Sequence, residues 1–415
     1  MSEVLELGKK AKKASVKLAN ISTEIKNRAL RAMADALITN TKEIIEINKK
    51  DLEEGKKRNF TKALIDRLLL NEARIEDMAK GLREVAFLKD PVGEIIKGWK
   101  LPNELEILQV RVPLGVIGII YEARPNVTVD AAGLCVKSGN AVILRGGSVA
   151  INSNLILTNI LADAGVKEGL PENSIQSVLT TDRAAVTELM KMHDYVDVLI
   201  PRGGASLIQS VIENSTVPVI KTGLGNCHIY VDKLANLSMA EKIVINAKCQ
   251  RPGVCNAAET LLVHKDVAKI FLPKILKELQ ERNVEVFGCP VTCSVYPGVN
   301  KATEEDWKTE YLDLKMAVKV MESLDEAILH IQKYGTNHSE AIVTEDYSAA
   351  KRFTEEVDAA AVYVNASTRF TDGGEYGLGA EVGISTQKLH ARGPMGLQAL
   401  TSTKYVVYGE GQVRS

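Results

Sequence analysis

Six cysteines are spread through the chain, and one stands where a nucleophile would stand. Cys255 lies in CQRPGVCNAAET, just after Pro252-Gly253 and just before an apolar, strand-like run. A turn presents a thiol more readily than a helix face does. Arg251 and Lys248, close in sequence, favour the thiolate, the form that attacks an acyl carbon. The same residue also reads as a buried free cysteine behaving as a small hydrophobe, and local features leave both readings open. The other five offer less. Cys135 sits in apolar DAAGLCVKSG and reads as core, Cys227 adjoins His228 at the mouth of a strand, and Cys249 is the second candidate. Cys289 and Cys293, in CPVTC, have a metal-like spacing, but no CxxC pair or histidine set completes it, so no metal site is expected.

Two glycine turns are suited to phosphate. Arg145-Gly146-Gly147-Ser148 follows the strand AVIL and opens a helix, and Arg202-Gly203-Gly204-Ala205-Ser206 does the same after VDVLIP. Each sets backbone N–H groups at a helix N-terminus beside a basic side chain. Neither is G-x-G-x-x-G, and no acidic residue stands at the usual ribose position, so ordinary tight turns are an equal reading. Asn126, in YEARPNVTVD, can donate to an oxyanion or cap the helix that starts near Val127. Tyr363, Arg369 and Asp372 follow the last strand of their series, on its C-terminal side, and are plausible cleft residues.

These residues need elements to hold them. Residues 1 to about 90 read as helical, with Leu30, Met33, Ala34 and Leu37 in a buried-stripe spacing. Asn40 with Glu43 fits a capping box, and Asn71 fits a cap for the next helix. From about 105 the pattern changes to 107–112 and 116–121 as strands, then strands at 141–144, 175–179, 196–200, 217–220 and 228–231. Helices near 127–138, 150–165, 182–192 and 204–213 separate them, and another lies near 239–249. A second series has strands near 259–264, 283–287, 314–320, 340–344 and 359–365, with helices near 266–281, 323–334 and 347–356. Such alternation predicts an α/β fold of two doubly wound parallel-sheet domains facing a cleft. The glycine-rich TDGGEYGLGAEVGIS cannot hold regular structure for long, and 401–408 is strand-like. The expected division is 1–240, 241–390 and a C-terminal segment 391–415.

Composition excludes several classes. The 415 residues are 45% hydrophobic and 25% charged, which rules out a disordered or collagen-like chain. Lys+Arg 52 against Asp+Glu 53 leaves a net charge of -1, with no drive toward nucleic acid or an anionic membrane. No apolar run is read as reaching the ~18 residues of a membrane span. The start, MSEVLELGKKAKK, carries no secretory h-region, and a cytoplasmic location is expected. Lys9, Lys10, Lys12 and Lys13 read as a solvated face.

The series VPLGVIGIIYEARPN, GNAVILRGGS, LIPRGGASLIQ, GLGNCHIYVD, QRPGVCNAAET, EEDWKTEYLDLKMAVKV and NASTRFTDGGEYGLGAEVGISTQKLHARGPMG runs through the whole chain in order. It resembles the aldehyde dehydrogenase superfamily, and within it the branch that reduces an acyl phosphate. The resemblance implies that Cys255 is the nucleophile and that Asn126 stabilises the oxyanion together with the Cys255 N–H. It implies that Arg145, Gly146 and Ser148 meet the adenosine ribose, Gly203 and Gly204 the pyrophosphate, and Glu310 the nicotinamide ribose. A β-hairpin near 96–112 would pair with the C-terminal strand as a small oligomerisation element, giving a homo-oligomer.

Two departures sharpen the expectation. Aldehyde-oxidising relatives carry a general-base Glu in an E-L-G-G-type loop, where this chain has Lys221-Thr222-Gly223-Leu224-Gly225. Without that base, water is not activated and a thioester survives for hydride or phosphate. Relatives that use NAD place a Glu where Ser148 stands, and a carboxylate there would repel a 2′-phosphate, so NADP(H) is the expected cofactor. The implied reaction is reduction of L-glutamyl 5-phosphate to L-glutamate 5-semialdehyde, with transient contact to glutamate 5-kinase, which makes that labile substrate. Arg124 and Arg369 are the candidate partners of the substrate carboxylate, and Gly373 would let backbone approach the substrate.

Overall fold

The computed structural model describes residues 2–414. They form two compact units: one runs to Lys221 and adds Gly377–Gly383 and the chain from Met395, and the other is Thr222–Tyr376 with Ile384–Pro394.

The first unit opens with α1 (Glu3–Leu18), α2 (Thr23–Thr39), α3 (Thr41–Lys57), α4 (Lys62–Leu68) and α5 (Glu72–Phe87). Asn71 caps α5, accepting from Arg74 N at 2.9 Å. The capping box expected at Asn40 does not form. A single residue separates α2 from α3, and the Asn40 amide turns back to donate to Ala36 O at 2.7 Å, closing the earlier helix instead. Lys12 is not simply solvated either, since it pairs with Asp197 at 2.7 Å.

Next come the hairpin β1 (Ile95–Lys100) and β2 (Glu106–Pro113), then β3 (Val116–Tyr121), α6 (Asn126–Lys137), β4 (Ala141–Arg145), α7 (Ile151–Lys167), β5 (Ile175–Ser177), α8 (Arg183–Leu189), β6 (Val198–Arg202) and α9 (Ala205–Asn214). The sheet is parallel, in the order β5-β4-β3-β6. β3 and β4 are buried along their whole length, as a sheet covered on both faces requires. Val4, Ala11 and Ala14 of α1 pack with Val116, Ile120, Ala141 and Ile143. The stretch 217–220 forms no strand, only a bridge of Val219 to Leu199, because Pro218 lacks the N–H a ladder needs. One helical stretch, Ser148–Lys167, is long and apolar enough to cross a membrane, contrary to expectation. It is a core helix of this unit: α2, α3 and α6 pack on it, and Leu157, Thr158, Leu161 and Gly165 are buried.

The second unit contains β7 (Cys227–Val231), α10 (Leu237–Cys249), β8 (Ala258–His264), α11 (Lys265–Glu281), β9 (Glu285–Gly288), α12 (Pro290–Val295), β10 (Asn300–Lys301), β11 (Lys315–Met321), α13 (Leu324–Tyr334), β12 (Ser339–Val343), α14 (Tyr347–Glu356), β13 (Ala361–Val364) and the short pair β14 (Ile384–Ser385) and β15 (Gly393–Pro394). Its main sheet is parallel, in the order β10-β9-β11-β8-β7-β12-β13. Alternation sorts the faces. Ile229, Val231, Leu261, Val263, Ala341 and Val343 pack with α10 and α11, whereas Tyr230, Leu262 and Ile342 pack with α13 and α14. The division expected at 240 therefore falls at Lys221/Thr222, because β7 hydrogen-bonds to β8 and β12 and belongs to this sheet.

The chain ends in β16 (Thr401–Tyr408), which pairs antiparallel with β2 in the first unit. This makes a separate sheet, β1-β2-β16, whose β1 is exposed throughout.

Candidate active site

In the first unit, the turns after β3, β4 and β6 meet at the sheet's carboxyl edge. β3 lies between β4 and β6, so this is a topological switch point, where open parallel sheets bind ligands. Glu122 ties the three turns together. Its N–H donates to Arg202 O at 3.2 Å, its carbonyl accepts from Gly147 N at 3.2 Å, and its carboxylate accepts from Gly204 N at 3.2 Å. A Cβ on Gly203 would lie 2.6 Å from the Glu122 carboxyl carbon. Glu122 is not among the residues that the sequence singles out; its one signal there is an acidic residue closing an apolar strand.

Arg145 ends β4 and is only 8% exposed. Its terminal nitrogens donate to Gly146 O at 3.0 Å and to Thr181 O at 3.1 Å, and burial pulls its pKa down. Its guanidinium is therefore engaged with backbone carbonyls, while Ser148, three residues on, is exposed. Arg145 Nε and Asn154 Nδ2 are buried polar atoms without a hydrogen-bond partner. These orphaned donors, with glycines at 146, 147, 203 and 204 and the start of α9, fit an anionic dinucleotide.

Asn126 is the first residue of α6 and does not cap it, since Pro125 occupies the cap position. Its exposed amide donates to Asp130 Oδ2, one turn on, at 3.1 Å. Burial pushes the Asp130 carboxyl up to about 6, against the opposing pull of Asn126 and Arg202. Arg124 lies in the same turn and accepts from Val127 N through its carbonyl at 3.0 Å.

In the second unit the candidates gather at the opposite edge, where the strands begin. Gly225 precedes β7, Cys255 precedes β8 and Glu310 precedes β11. Cys255 is partly exposed, and its carbonyl accepts from the buried Cys227 thiol at 3.2 Å. A Cβ on Gly225 would fall 1.5 Å from that same carbonyl oxygen, so the 221–225 loop is packed directly on the Cys255 backbone. Glu310 accepts from Gly225 N at 2.7 Å, and burial raises its pKa. Lys248, expected to favour the thiolate, instead donates to Glu259 at 2.6 Å, with both side chains at 0% exposure.

Arg369, Gly373 and their neighbours are not on the C-terminal side of the sheet. The chain after β13 turns back, and Thr371 Oγ1 bonds Ser339 Oγ at 2.7 Å at the start of β12. Arg369 Nε donates to Gln250 Oε1 at 2.9 Å, and a terminal nitrogen donates to Asn256 Oδ1. Gly373 sits in the turn that Asp372 closes by accepting from Gly374 N at 2.8 Å. Tyr363 OH joins Thr371 Oγ1 at 2.7 Å.

His228 and His338 are buried in this unit. His228 bonds Glu340 at 3.0 Å, and burial depresses His338 to about 4, so it is neutral at physiological pH. Among the described residues no three His, Cys, Asp or Glu side chains group to hold a metal ion.

The structure thus brings Cys255, Glu310, Arg369 and Gly373 together in one unit, and Asn126, Arg124, Arg145, Gly146, Ser148, Gly203 and Gly204 in the other.

A family model described as the aldehyde dehydrogenase family matches residues 2–309. A protein named gamma-glutamyl phosphate reductase from Clostridium novyi (strain NT) is 64% identical over 411 residues, covering 99% of each chain. One of the same name from Carboxydothermus hydrogenoformans is 64% identical over 414 residues, covering 100% of each. The crystal structure of gamma-glutamyl phosphate reductase from Thermotoga maritima is similar at a TM-score of 0.97 and 53% identity, covering 100% of each chain.

Proposed function

The chain belongs to the aldehyde dehydrogenase family, and from that premise we propose that it reduces L-glutamyl 5-phosphate to L-glutamate 5-semialdehyde and inorganic phosphate, in the formation of proline from glutamate. It is an oxidoreductase that uses a nicotinamide cofactor and a small-molecule substrate. The observation that carries this reading is the contact of Gly225 with the Cys255 carbonyl, in a loop without a carboxylate. A side chain that activates water has no room at that glycine, so the acyl group on Cys255 is kept for reduction.

Cys255 Sγ bonds to the acyl carbon as the carbon–oxygen bond to phosphate breaks, and the thiol proton departs with the phosphate as hydrogen phosphate. Asn126 Nδ2 and the Cys255 N–H are the proposed oxyanion donors. One such donor is typically worth about 3–4 kcal/mol in the transition state. The bond to Asp130 orients the Asn126 amide and leaves its second N–H to donate. Phosphate is a good leaving group, so no strong general acid is required. A reduced nicotinamide, when bound, would supply the hydride. Conversion of the thioester to the semialdehyde leaves Cys255 as the thiolate, which takes up a proton from solvent before the next turnover if it is to return to the thiol.

Gly203, Gly204 and the start of α9 would hold the pyrophosphate, with Glu122 shaping the turn, and Glu310 the nicotinamide ribose. NADPH is favoured over NADH because Ser148, rather than a carboxylate, stands exposed after Arg145 and Gly146, and Arg145 retains an unpartnered Nε. Arg124 and Gly373 are assigned to the substrate. The β1-β2-β16 sheet, with Trp99, Tyr405 and Val407 exposed, is the proposed surface of a cytoplasmic homo-oligomer. Transient contact with glutamate 5-kinase would spare the labile acyl phosphate.

The test is the reverse reaction: NADP⁺ reduction by glutamate 5-semialdehyde, followed by absorbance, with and without inorganic phosphate. Strict phosphate dependence is expected. Turnover without phosphate would mean that water resolves the thioester and that the reading is wrong.

A further inference from the structure

Arg369 bridges the loop that carries the nucleophile. Its guanidinium bonds Gln250, the residue before Arg251, and Asn256, the residue after Cys255. The arrangement is braced from the other side: Asn256 Nδ2 donates to Thr371 O at 2.9 Å, and Thr368 Oγ1 donates to Asn256 O at 2.7 Å. The cation is therefore fixed over residues 250–256. A guanidinium carries five N–H donors, and the two side-chain bonds use two of them.

The electrostatics are unusual for a purely structural brace. Arg369 is half-buried, and burial disfavours its charge; the like charge of exposed Arg251 adds to this, while Cys255, Asp372 and Glu375 oppose it. Arg369 is thus bonded to the loop that carries the thiol, and the exposed cation Arg251 belongs to that same loop. An anion bound to Arg369 would offset the desolvation of its charge, and planar forks suit phosphate geometry.

Substrate chemistry selects which anion. The phosphoryl group is joined through one oxygen to the carbon that Sγ attacks, whereas the α-carboxylate is four bonds from that carbon. A cation bonded to Asn256, the residue after the nucleophile, and to Gln250 at the start of the same loop lies nearer the reacting carbon's phosphoryl group than the distant carboxylate. We propose that Arg369, seconded by Arg251, forms the site that receives the phosphoryl group of the acyl phosphate and, in the reverse direction, inorganic phosphate. This rests on the acyl-phosphate reading and replaces the substrate-carboxylate role expected for Arg369.

The reverse reaction separates the two ligands, because phosphate and semialdehyde are varied independently. Arg369→Gln should raise the KM for phosphate about ten- to hundredfold, the range for lost charged hydrogen bonds. Arg369→Lys should raise it less. Arg251→Gln, at an exposed position that does not endanger folding, should raise it about three- to tenfold. The KM values for semialdehyde and dinucleotide should stay within about twofold. An unchanged phosphate KM in Arg369→Lys and Arg251→Gln overturns the proposal. So does a rise in the semialdehyde KM alone, which would return Arg369 to the carboxylate. Wild-type turnover that ignores phosphate refutes the underlying reaction instead, before any variant is made.

Discussion

Alanine at position 225 puts a methyl group where the backbone of Cys255, the proposed nucleophile, already is. The added carbon would lie 1.5 Å from Cys255 O, 2.3 Å from its carbonyl carbon and 2.7 Å from its Cα. Gly225 is not in the left-handed region, so alanine's own backbone is unstrained and the clash accounts for the cost. Non-bonded carbon contacts want about 3.5 Å, so one loop must retreat by about 2 Å. If the 225 loop moves, its 2.7 Å bond to Glu310 breaks; if Cys255 moves, the Cys227 bond to its carbonyl breaks. A misplacement of about 1 Å can cost on the order of a hundredfold in rate. We therefore expect Gly225→Ala to lower kcat/KM at least about a hundredfold, near 3 kcal/mol, with an overpacking cost of about 1–3 kcal/mol in stability. The assay is the phosphate-dependent reverse reaction, with the alkylation rate of Cys255 and dinucleotide affinity measured alongside. Alkylation should change, and dinucleotide affinity should fall as well if the 225 loop is the part that moves, because Glu310 then loses its bond to Gly225. Gly81→Ala, in α5 with nothing within 4 Å of the new Cβ, is the control and should be neutral or slightly stabilising. If Gly225→Ala keeps kcat/KM within about threefold, the contact does not position the nucleophile and the reasoning fails.

Cys255→Ser should abolish turnover and leave dinucleotide binding intact by fluorescence titration; surviving turnover would name another nucleophile. Asp130 gives a pH test. Its carboxyl is held at about 6 in the fold against an ordinary 3.8, so the unfolded chain releases its proton first. The stability carried by the protonated form is present below about pH 4 and is lost as pH rises through 6. Asp130→Asn should therefore gain up to about 3 kcal/mol over the wild type at pH 8 and lose that advantage at pH 4, in urea melts. Lys248→Met should cost about 3–5 kcal/mol, because it strands Glu259 without a cation. Burial already holds Glu259 at about 7, so protonation on lowering the pH should restore part of the loss. An equal loss at pH 6 and pH 8 would contradict that account.

What the sequence determined by itself is local or periodic. Alternating apolar runs and helical stripes specify both α/β series, since the period of a buried face is written in the chain. Pro252-Gly253 marks the turn that presents Cys255, and the missing carboxylate in 221–225 is visible without coordinates. Tertiary structure decided whatever depends on which side chains meet across the sheet. β7 joined the second unit because its partners are β8 and β12, although it follows the first series in sequence. Lys248 reads as an activator beside Cys255 until Glu259, eleven residues on, takes its charge. Arg369 reads as lying past the C-terminal end of a strand until the chain doubles back to Gln250 and Asn256. Glu122 and Asp130 gain their roles from Gly204 and Asn126, through a turn and a helix that bring their side chains together. Charge and hydrogen bonding act over a few ångströms of space whatever the separation in sequence, and only the folded chain sets those distances.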